Sequence, residues 1–390
     1  MSTNRKTTSP ILRLFPVGLL TVLLTTSLAE AAPRTWTDTT GRYKVEAELL
    51  NIRGDIAVLR HTDGEVSHVP LSRLSAADRE FIANLIFQDE PTGPPPEPQS
   101  FGEPYTVALE IGMRITAGRS ACRNLRASFP VPLDWPEQKV KIVGERKPSN
   151  IGRFRYTVID GGVKQASFTV PSLRAGESID IVLQLEIEKL SIRRPDDEKV
   201  LHALVLPERL SNTLRKHLVA SPKIEIGDER LKAAAESLAI DSTKPAWPQI
   251  ERIYDWVWEK VQPSGTKPLE GALSALTTGC GDCEERTSLF VALCRLNGIP
   301  ARSVWIPGHT YPEFYLEDDQ GKGYWFPCES LGTKSFGRMG GHRPVIQKGD
   351  NFKMPQYRER QRYVTQTLTG VIPPGAEPPK VQEIMKVGSG

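Results

Sequence analysis

The chain has 390 residues, of which 39% are apolar and 25% are charged. This composition is typical of a globular protein long enough for two or three domains. The formal net charge of +3 at pH 7 is small, which excludes a general nucleic-acid-binding function, because such proteins carry strong basic patches.

Residues 1–31 have the pattern of a secretory signal peptide. Basic residues precede an apolar run at about 14–24, and Ala29-Glu30-Ala31 resembles a signal peptidase site. The run is shorter than the roughly 20 residues that a membrane span needs. We therefore expect export to the periplasm or the outside of the cell, with cleavage near Ala31 and no membrane span in the mature chain. An uncleaved membrane anchor is the alternative interpretation.

Residues 34–88 form the first predicted domain. Apolar and polar residues alternate along it, and Gly54-Asp55 and Asp63-Gly64 are turn signals, which together indicate an antiparallel meander. The segment "SAADREFIANLIF" then has the apolar spacing of a short helix. A small all-β, barrel-like module closed by a helix is the expected structure.

Several motifs of this module resemble the Sla-type homology domain. They are Arg34-Thr35-Trp36, the strand at 45–48 and the segment "VPLSRLSAADREFI". The resemblance implies a small interaction module with a peptide or protein ligand.

Two regions without obvious catalytic residues follow. Residues 89–104, "DEPTGPPPEPQSFGEP", are rich in proline and predict a semi-rigid linker. Residues 105–222 contain alternating segments such as "YTVALEIGMRI" and "SIDIVLQLEIEKL", punctuated by glycine and proline. This pattern predicts a β-sandwich.

Helical periodicity begins near Asp228. The segments "DERLKAAAESLAI" and "WPQIERIYDWVWEKVQ" each predict one helix, the second with an apolar face. They open a predicted α+β domain at 223–362. The remaining tail, 363–390, has a weak pattern and is predicted to be disordered.

The stretch "TTGCGDCEERTSLFVALCRLNGIPAR" at 277–302 predicts a buried helix with a thiol at its start. Asp282 is a good N-cap, and Glu285 three residues later completes a capping box. Cys283 then occupies the first helical position. Free backbone N–H groups and the helix dipole favour an anion there, so this position suits a reactive thiolate.

A base and an orienting carboxylate for this thiol are expected downstream. His309 begins the first strand of a predicted hairpin, and Glu329 lies near the end of the second strand. Such positions come close in an antiparallel pair. Cys283, His309 and Glu329 would then form a set of nucleophile, base and orienting group.

These residues belong to a pattern that resembles the transglutaminase-like core, a papain-like Cys-His-Asp superfamily. The matching segments are Gly281-Asp282-Cys283-Glu284, "LFVALCRLNGIPAR", His309 with the following "PEFY", and "GYWFP". The resemblance extends from about residue 247 to about 362.

The resemblance implies that Cys283 is the nucleophile and His309 the base, while Glu329 occupies the position at which the family usually has Asp. It further implies a transglutaminase-like cysteine acyltransferase or cysteine protease that acts on a protein or peptide through a thioester, without a metal or cofactor. The alternative is a catalytically impaired scaffold that binds proteins, which the Glu329 substitution favours. The whole chain is thus predicted to be multidomain: a barrel-like module, a β-sandwich and a papain-like core.

The pair Cys280-x-x-Cys283 allows three interpretations. A thioredoxin-like redox pair would have its first cysteine at the helix start; a zinc site would use both cysteines with Cys328 and His309; otherwise Cys280 is a bystander or a regulator. We hypothesise that a Cys280–Cys283 disulfide switches the nucleophile off, which is tested by comparing the reductant dependence of activity between the wild type and Cys280→Ser. The remaining cysteines, Cys122, Cys294 and Cys328, give no sign of a disulfide scaffold.

Overall fold

The computed structural model describes residues 33–53, 56–87, 97–264, 270–340 and 343–389. The predicted signal peptide, the turn at Gly54-Asp55 and the first half of the predicted linker, 89–96, lie outside these residues. Within the described ranges the chain is mostly β with some helices. No helix in those ranges is long and apolar enough to cross a membrane.

The N-terminal module is an antiparallel meander followed by a helix. Its elements are β1 (Arg34–Thr37), β2 (Lys44–Arg53), β3 (Ile56–His61), β4 (Val66–Pro70) and α1 (Ala76–Phe87). The strands pair in chain order. Trp36 and Leu59 are buried at its centre, and the buried Asp78 of α1 accepts hydrogen bonds from Arg34 and from the N–H of Thr37. The predicted meander and closing helix are both present.

Long antiparallel strands make up the next region. They are β5 (Ser100–Phe101), β6 (Tyr105–Thr116), β7 (Cys122–Val131), β8 (Gln138–Arg146), β9 (Arg155–Ile159), β10 (Val163–Leu173) and β11 (Ser178–Lys189). Strand β11 lies between β6 and β8, and β10 lies between β7 and β9. Their inward residues, among them Ile111, Phe129 and Leu183, share one apolar core.

Residues 190–222 do not continue these sheets, so the predicted domain boundary at 222 is wrong. They form β12 (Ile192–Arg193), which pairs with β5, and the short helices α2 (Glu198–His202) and α3 (Asn212–Arg215). Leu201 and Leu204 pack into the core of the domain that follows. The N-caps Asp197 and Ser211 start helices here, and these helices turn apolar residues towards the next domain. The β5–β12 pairing also shows that the end of the predicted linker is ordered.

The α+β domain surrounds one buried helix. Its elements are α4 (Glu229–Ser237), α5 (Ala246–Lys260), β13 (Gln262–Pro263), α6 (Ala272–Thr278), β14 (Cys280–Gly281), α7 (Cys283–Leu296), β15 (Ala301–Ile306), β16 (His309–Glu317), β17 (Gly323–Pro327) and β18 (Gln347–Lys348). Strands β15 to β18 form a sheet in the order β17-β16-β15-β18. Eleven of the fourteen residues of α7 are buried, because α5, α6 and the sheet pack around it.

A buried ionic cluster joins this sheet to the region of long strands. Lys348 of β18 lies 2.8 Å from Glu137, which precedes β8, and 2.6 Å from Glu313 of β16. Glu313 also pairs with Arg302 of β15 at 2.9 Å. Burial opposes the charge of Glu137, but Lys348 and Lys189 hold its pKa at about 2. The cluster therefore fixes β16 against the neighbouring domain.

The prediction of a disordered tail at 363–390 is wrong. The tail forms β19 (Thr367–Val371) and β20 (Lys380–Ser389), which pair with β7 and β6 and complete two sheets of order β19-β7-β10-β9 and β20-β6-β11-β8 among the described strands. Both are edge strands with largely exposed side chains, so their sequence alternates weakly. Their order comes from pairing with strands that lie far earlier in the chain.

This finding predicts different effects for two apolar residues of β20. Met385 packs against the core of the two sheets, whereas Val387 is 44% exposed. Met385→Asp should lower the free energy of unfolding by about 2–3 kcal/mol because it buries an unpaired charge, while Val387→Asp should change it by less than about 1 kcal/mol. Denaturant unfolding of both variants measures the difference, and two neutral substitutions would contradict an ordered tail.

Candidate active site

The cysteine of the site begins α7. The predicted capping box is confirmed, because Asp282 accepts from the N–H of Glu284 at 2.8 Å and Glu285 accepts from the N–H of Asp282 at 3.1 Å. A side chain at Gly281 would meet Cβ of Glu285 at 2.3 Å, so only glycine allows this approach. Cys283 follows as the first helical residue and is half-buried.

The histidine of the site enters from the sheet. His309 is the first residue of β16, directly after the turn at Gly308, whose φ of 70° favours glycine. The side chain of His309 is 7% exposed. Cys283 lies close enough to raise the pKa of His309, and Nε2 of His309 lies 2.6 Å from Oε1 of Glu329. Because Glu329 engages Nε2, Nδ1 is the ring nitrogen left for the thiol.

The carboxylate of the site lies just beyond β17. The N–H of Cys328 donates to the carbonyl of Pro312 at 2.9 Å, which extends the β16–β17 pairing and carries Glu329 towards His309. Oε1 of Glu329 also accepts from the N–H groups of Ser330 at 2.8 Å and Leu331 at 3.2 Å. Three donors therefore fix one carboxylate oxygen.

The electrostatic interaction between His309 and Glu329 favours a charged imidazole. Burial opposes the charge on His309, but the Glu329 carboxylate and the neighbouring Cys283 outweigh it and raise the pKa of His309 to about 10. Burial likewise opposes the charge on Glu329, yet His309 and the N–H groups of Ser330 and Leu331 lower the pKa of Glu329. At neutral pH the imidazole therefore holds a proton that it can deliver to a leaving group.

The structure brings together all three residues that the sequence singled out, and it adds two that the sequence did not. Tyr254 of α5 donates through its hydroxyl to the carbonyl of Glu329 at 2.8 Å, and Arg286 of α7 donates to the carbonyl of Ser330 at 3.1 Å. Tyr254 is buried, at 3% exposed. A signal for Arg286 exists, since it is a charged residue one turn after the cysteine on a helix predicted to be buried.

The other cysteines lie apart from this chemistry. Cys280 is exposed in β14 and has a free thiol, and the helix starts at Cys283, unlike in a thioredoxin-like pair. The residues described include no group of three or more His, Cys, Asp or Glu that could hold a metal ion. Three cysteines are fully buried with free thiols: Cys122, Cys294 and Cys328.

Comparisons with known proteins agree with both resemblances. The model of the transglutaminase-like superfamily matches residues 232–330, and the model of SLA1 homology domain 1 matches residues 28–89. The chain therefore contains a domain of each kind. No curated protein matches the chain.

Solved structures resemble parts of this chain at low sequence identity. The structure of a putative cysteine protease from Cytophaga hutchinsonii aligns with a TM-score of 0.50 and 14% identity, over 75% of this chain and 92% of that chain. The periplasmic domain of TgpA from Pseudomonas aeruginosa, bound to ethylmercury, aligns with a TM-score of 0.27 and 14% identity, over 55% of this chain and 91% of that chain. The first likeness shows a shared fold.

The contact between Glu329 and His309 predicts the titration of the histidine. Glu329→Gln keeps the shape of the side chain but removes its charge, so the pKa of His309 should fall from about 10 by more than about 1 unit. The stabilisation that comes from the raised pKa is complete below about pH 6.5 and is lost as the pH rises through about 10. An NMR titration of the imidazole measures the shift, and an unchanged midpoint would show that Glu329 does not act on His309.

Proposed function

We propose that this protein is an exported cysteine enzyme that transfers or hydrolyses acyl groups through a thioester on Cys283. The observation that carries the proposal is the 2.6 Å contact between His309 and Glu329, with Cys283 close enough to raise the pKa of His309 and its sulfur at the start of a buried helix. A transglutaminase-like domain in the same residues supports this chemistry.

In the first half of the reaction, the sulfur of Cys283 attacks the acyl carbon of a glutamine side chain or a peptide bond. Asp282 occupies the N–H groups of Glu284 and Glu285 through its cap, so the N–H of Cys283 is left in this turn for the substrate oxygen. His309 then gives its proton to the departing amine, and a thioester on Cys283 remains.

In the second half, an amine or water attacks the thioester carbon. His309 takes the proton of the incoming group, and the sulfur of Cys283 leaves. An amine yields a transferred acyl group, whereas water yields a carboxylic acid. The acyl donor is a protein or peptide, and these steps need no metal or cofactor.

The N-terminal module is proposed to bind a protein or peptide partner. A groove of about 600 Å³ opens on it, lined by apolar side chains such as Val45 and Val69 and by Tyr43, which is 76% exposed. Exposed aromatic side chains beside apolar walls suit protein ligands. Such a partner would bring substrate to the enzyme domain outside the cytoplasm.

The scaffold alternative rests on Glu329 in place of the usual Asp. The 2.6 Å contact between Glu329 and His309 weakens that support, because the longer side chain still reaches the imidazole. A scaffold would leave Cys283 with the slow alkylation of an ordinary thiol at acidic pH. Thiol reactivity therefore distinguishes the two functions.

The enzyme function predicts fast alkylation of Cys283 by iodoacetamide near pH 6, where an ordinary thiol is almost entirely protonated. His309→Ala should slow this labelling by on the order of 100-fold, because the charged imidazole no longer stabilises the thiolate. His217→Ala is the matched control, since His217 is also buried, at 6% exposed, and packs on Trp325. Peptide mapping under reductant assigns the label. Slow labelling of Cys283 in the wild type would favour the scaffold.

Peptide substrates then separate transfer from hydrolysis. A glutamine peptide supplied with a fluorescent primary amine should become labelled if an amine is the acceptor, whereas release of ammonia or peptide cleavage alone indicates water. Cys283→Ser should abolish either reaction, because serine lacks the thiolate. Activity that survives in Cys283→Ser would contradict the thioester.

A further inference from the structure

Arg286 is a buried cation that has no carboxylate partner among the described residues. It lies one turn after Cys283 and is 5% exposed. Its guanidinium donates only to carbonyl oxygens, those of Val261 at 2.6 and 2.9 Å, Trp258 at 3.3 Å and Ser330 at 3.1 Å. Burying a charge costs free energy unless hydrogen bonds or an ion pair replace its lost hydration, and here the carbonyl oxygens replace it.

The partners of Arg286 explain why an arginine occupies this position. The carbonyls of Trp258 and Val261 lie at the C-terminal end of α5, where the helix dipole is negative. The planar guanidinium can bond there and, with its Nη1, also reach Ser330. A lysine ammonium is a point charge and cannot bond both the end of α5 and the carbonyl of Ser330. An apolar residue would fill the space but leave these carbonyl oxygens without a donor.

Tyr254 makes the corresponding contact one residue earlier. Its hydroxyl donates to the carbonyl of Glu329 at 2.8 Å and accepts from the N–H of Ser335 at 3.1 Å. The hydroxyl of Ser330 in turn donates to the carbonyl of Thr310 at 2.7 Å, beside His309. The carbonyls of residues 329–330 are thus bonded to α5 and α7, and the side chain of Ser330 is bonded to β16.

This segment lies beyond the last paired residue of β17, Pro327. Its N–H groups at Ser330 and Leu331 bond the carboxylate of Glu329, so the direction of each peptide plane decides where that carboxylate points. Peptide planes that are free to rotate would leave the carboxylate in several positions, only some of them near His309.

From these contacts we infer that Arg286 and Tyr254 are positioning residues, which hold the backbone at Glu329–Ser330 so that the Glu329 carboxylate meets His309. The inference deepens the proposed function and rests on it. Both residues act through Glu329 and neither touches the sulfur of Cys283 in the contacts described.

The groups that act electrostatically on His309 are few. Glu329, beyond β17, and Cys283, on α7, are the groups that raise the pKa of His309. Arg286 on α7 and Tyr254 on α5 are the next groups behind Glu329. Loss of either backbone contact should therefore lower the pKa of His309 towards its ordinary value, because the carboxylate moves away.

The test compares Arg286→Lys with Arg295→Lys in the full chain. Arg295 is an equally buried arginine of the same helix, 4% exposed, which bonds Asp350 and the carbonyls of Val219 and Ala301. It lies about 13 Å further along the helix axis. NMR titration of His309 should give a pKa at least about 1 unit lower in Arg286→Lys and an unchanged pKa in Arg295→Lys, although both variants lose stability.

Tyr254→Phe provides a second variant that keeps the ring and removes one hydroxyl. We expect it to lower the pKa of His309 in the same direction. Tyr324→Phe is its control, because that hydroxyl bonds Asp318 in the distant hairpin turn. If the Arg286 variant does not fold, this pair decides the inference.

Iodoacetamide labelling of the wild type distinguishes failure of the proposed function from failure of the positioning role. If Cys283 labels slowly near pH 6 and His309→Ala makes no difference, the proposed function is wrong, and the positioning role is wrong with it. If labelling is fast but the His309 pKa of Arg286→Lys and Tyr254→Phe equals that of their controls, only the positioning role is overturned. A selective fall in the two variants, with labelling slowed by at least about 3-fold, is the expected result.

Discussion

The contact between Nε2 of His309 and Oε1 of Glu329, at 2.6 Å, is the interaction on which the site depends. It joins the end of β17 to the start of β16, and the sulfur of Cys283 at the start of α7 completes the series. Two buried partners of opposite charge stabilise each other only if donors and acceptors around them are satisfied. Most of the neighbouring structure serves that requirement.

Buried charged residues stabilise the surroundings of the site in two different ways. The cluster of Lys348, Glu137 and Glu313 fixes β16 from the side of the two sheets, so the strand that carries His309 is held at both faces. Arg286 instead bonds carbonyl oxygens and fixes the segment that follows β17. Ion pairs thus hold the scaffold, while single hydrogen bonds orient the segment that carries the carboxylate.

Glu329 shows how the site can use a longer side chain at a position where the resemblance implies Asp. The additional methylene does not push the carboxylate past His309, because the N–H groups of Ser330 and Leu331 draw it back over its own backbone. Because these N–H groups orient the carboxylate, the backbone of residues 329–331 must keep a fixed conformation. Contacts from Tyr254 and Arg286 to the two adjacent carbonyls meet this need.

Local patterns in the sequence were enough to predict the meander, the helix that begins at Cys283 and its capping box, since each depends on residues a few positions apart. Chemistry and resemblance together indicated Cys283, His309 and Glu329. Only the tertiary structure decided that the tail pairs with β6 and β7, that residues 190–222 pack with the helical core, and that Tyr254 and Arg286 hold Glu329. Strand pairing and carbonyl contacts depend on backbone groups that every residue has, so they become visible only when distant segments meet.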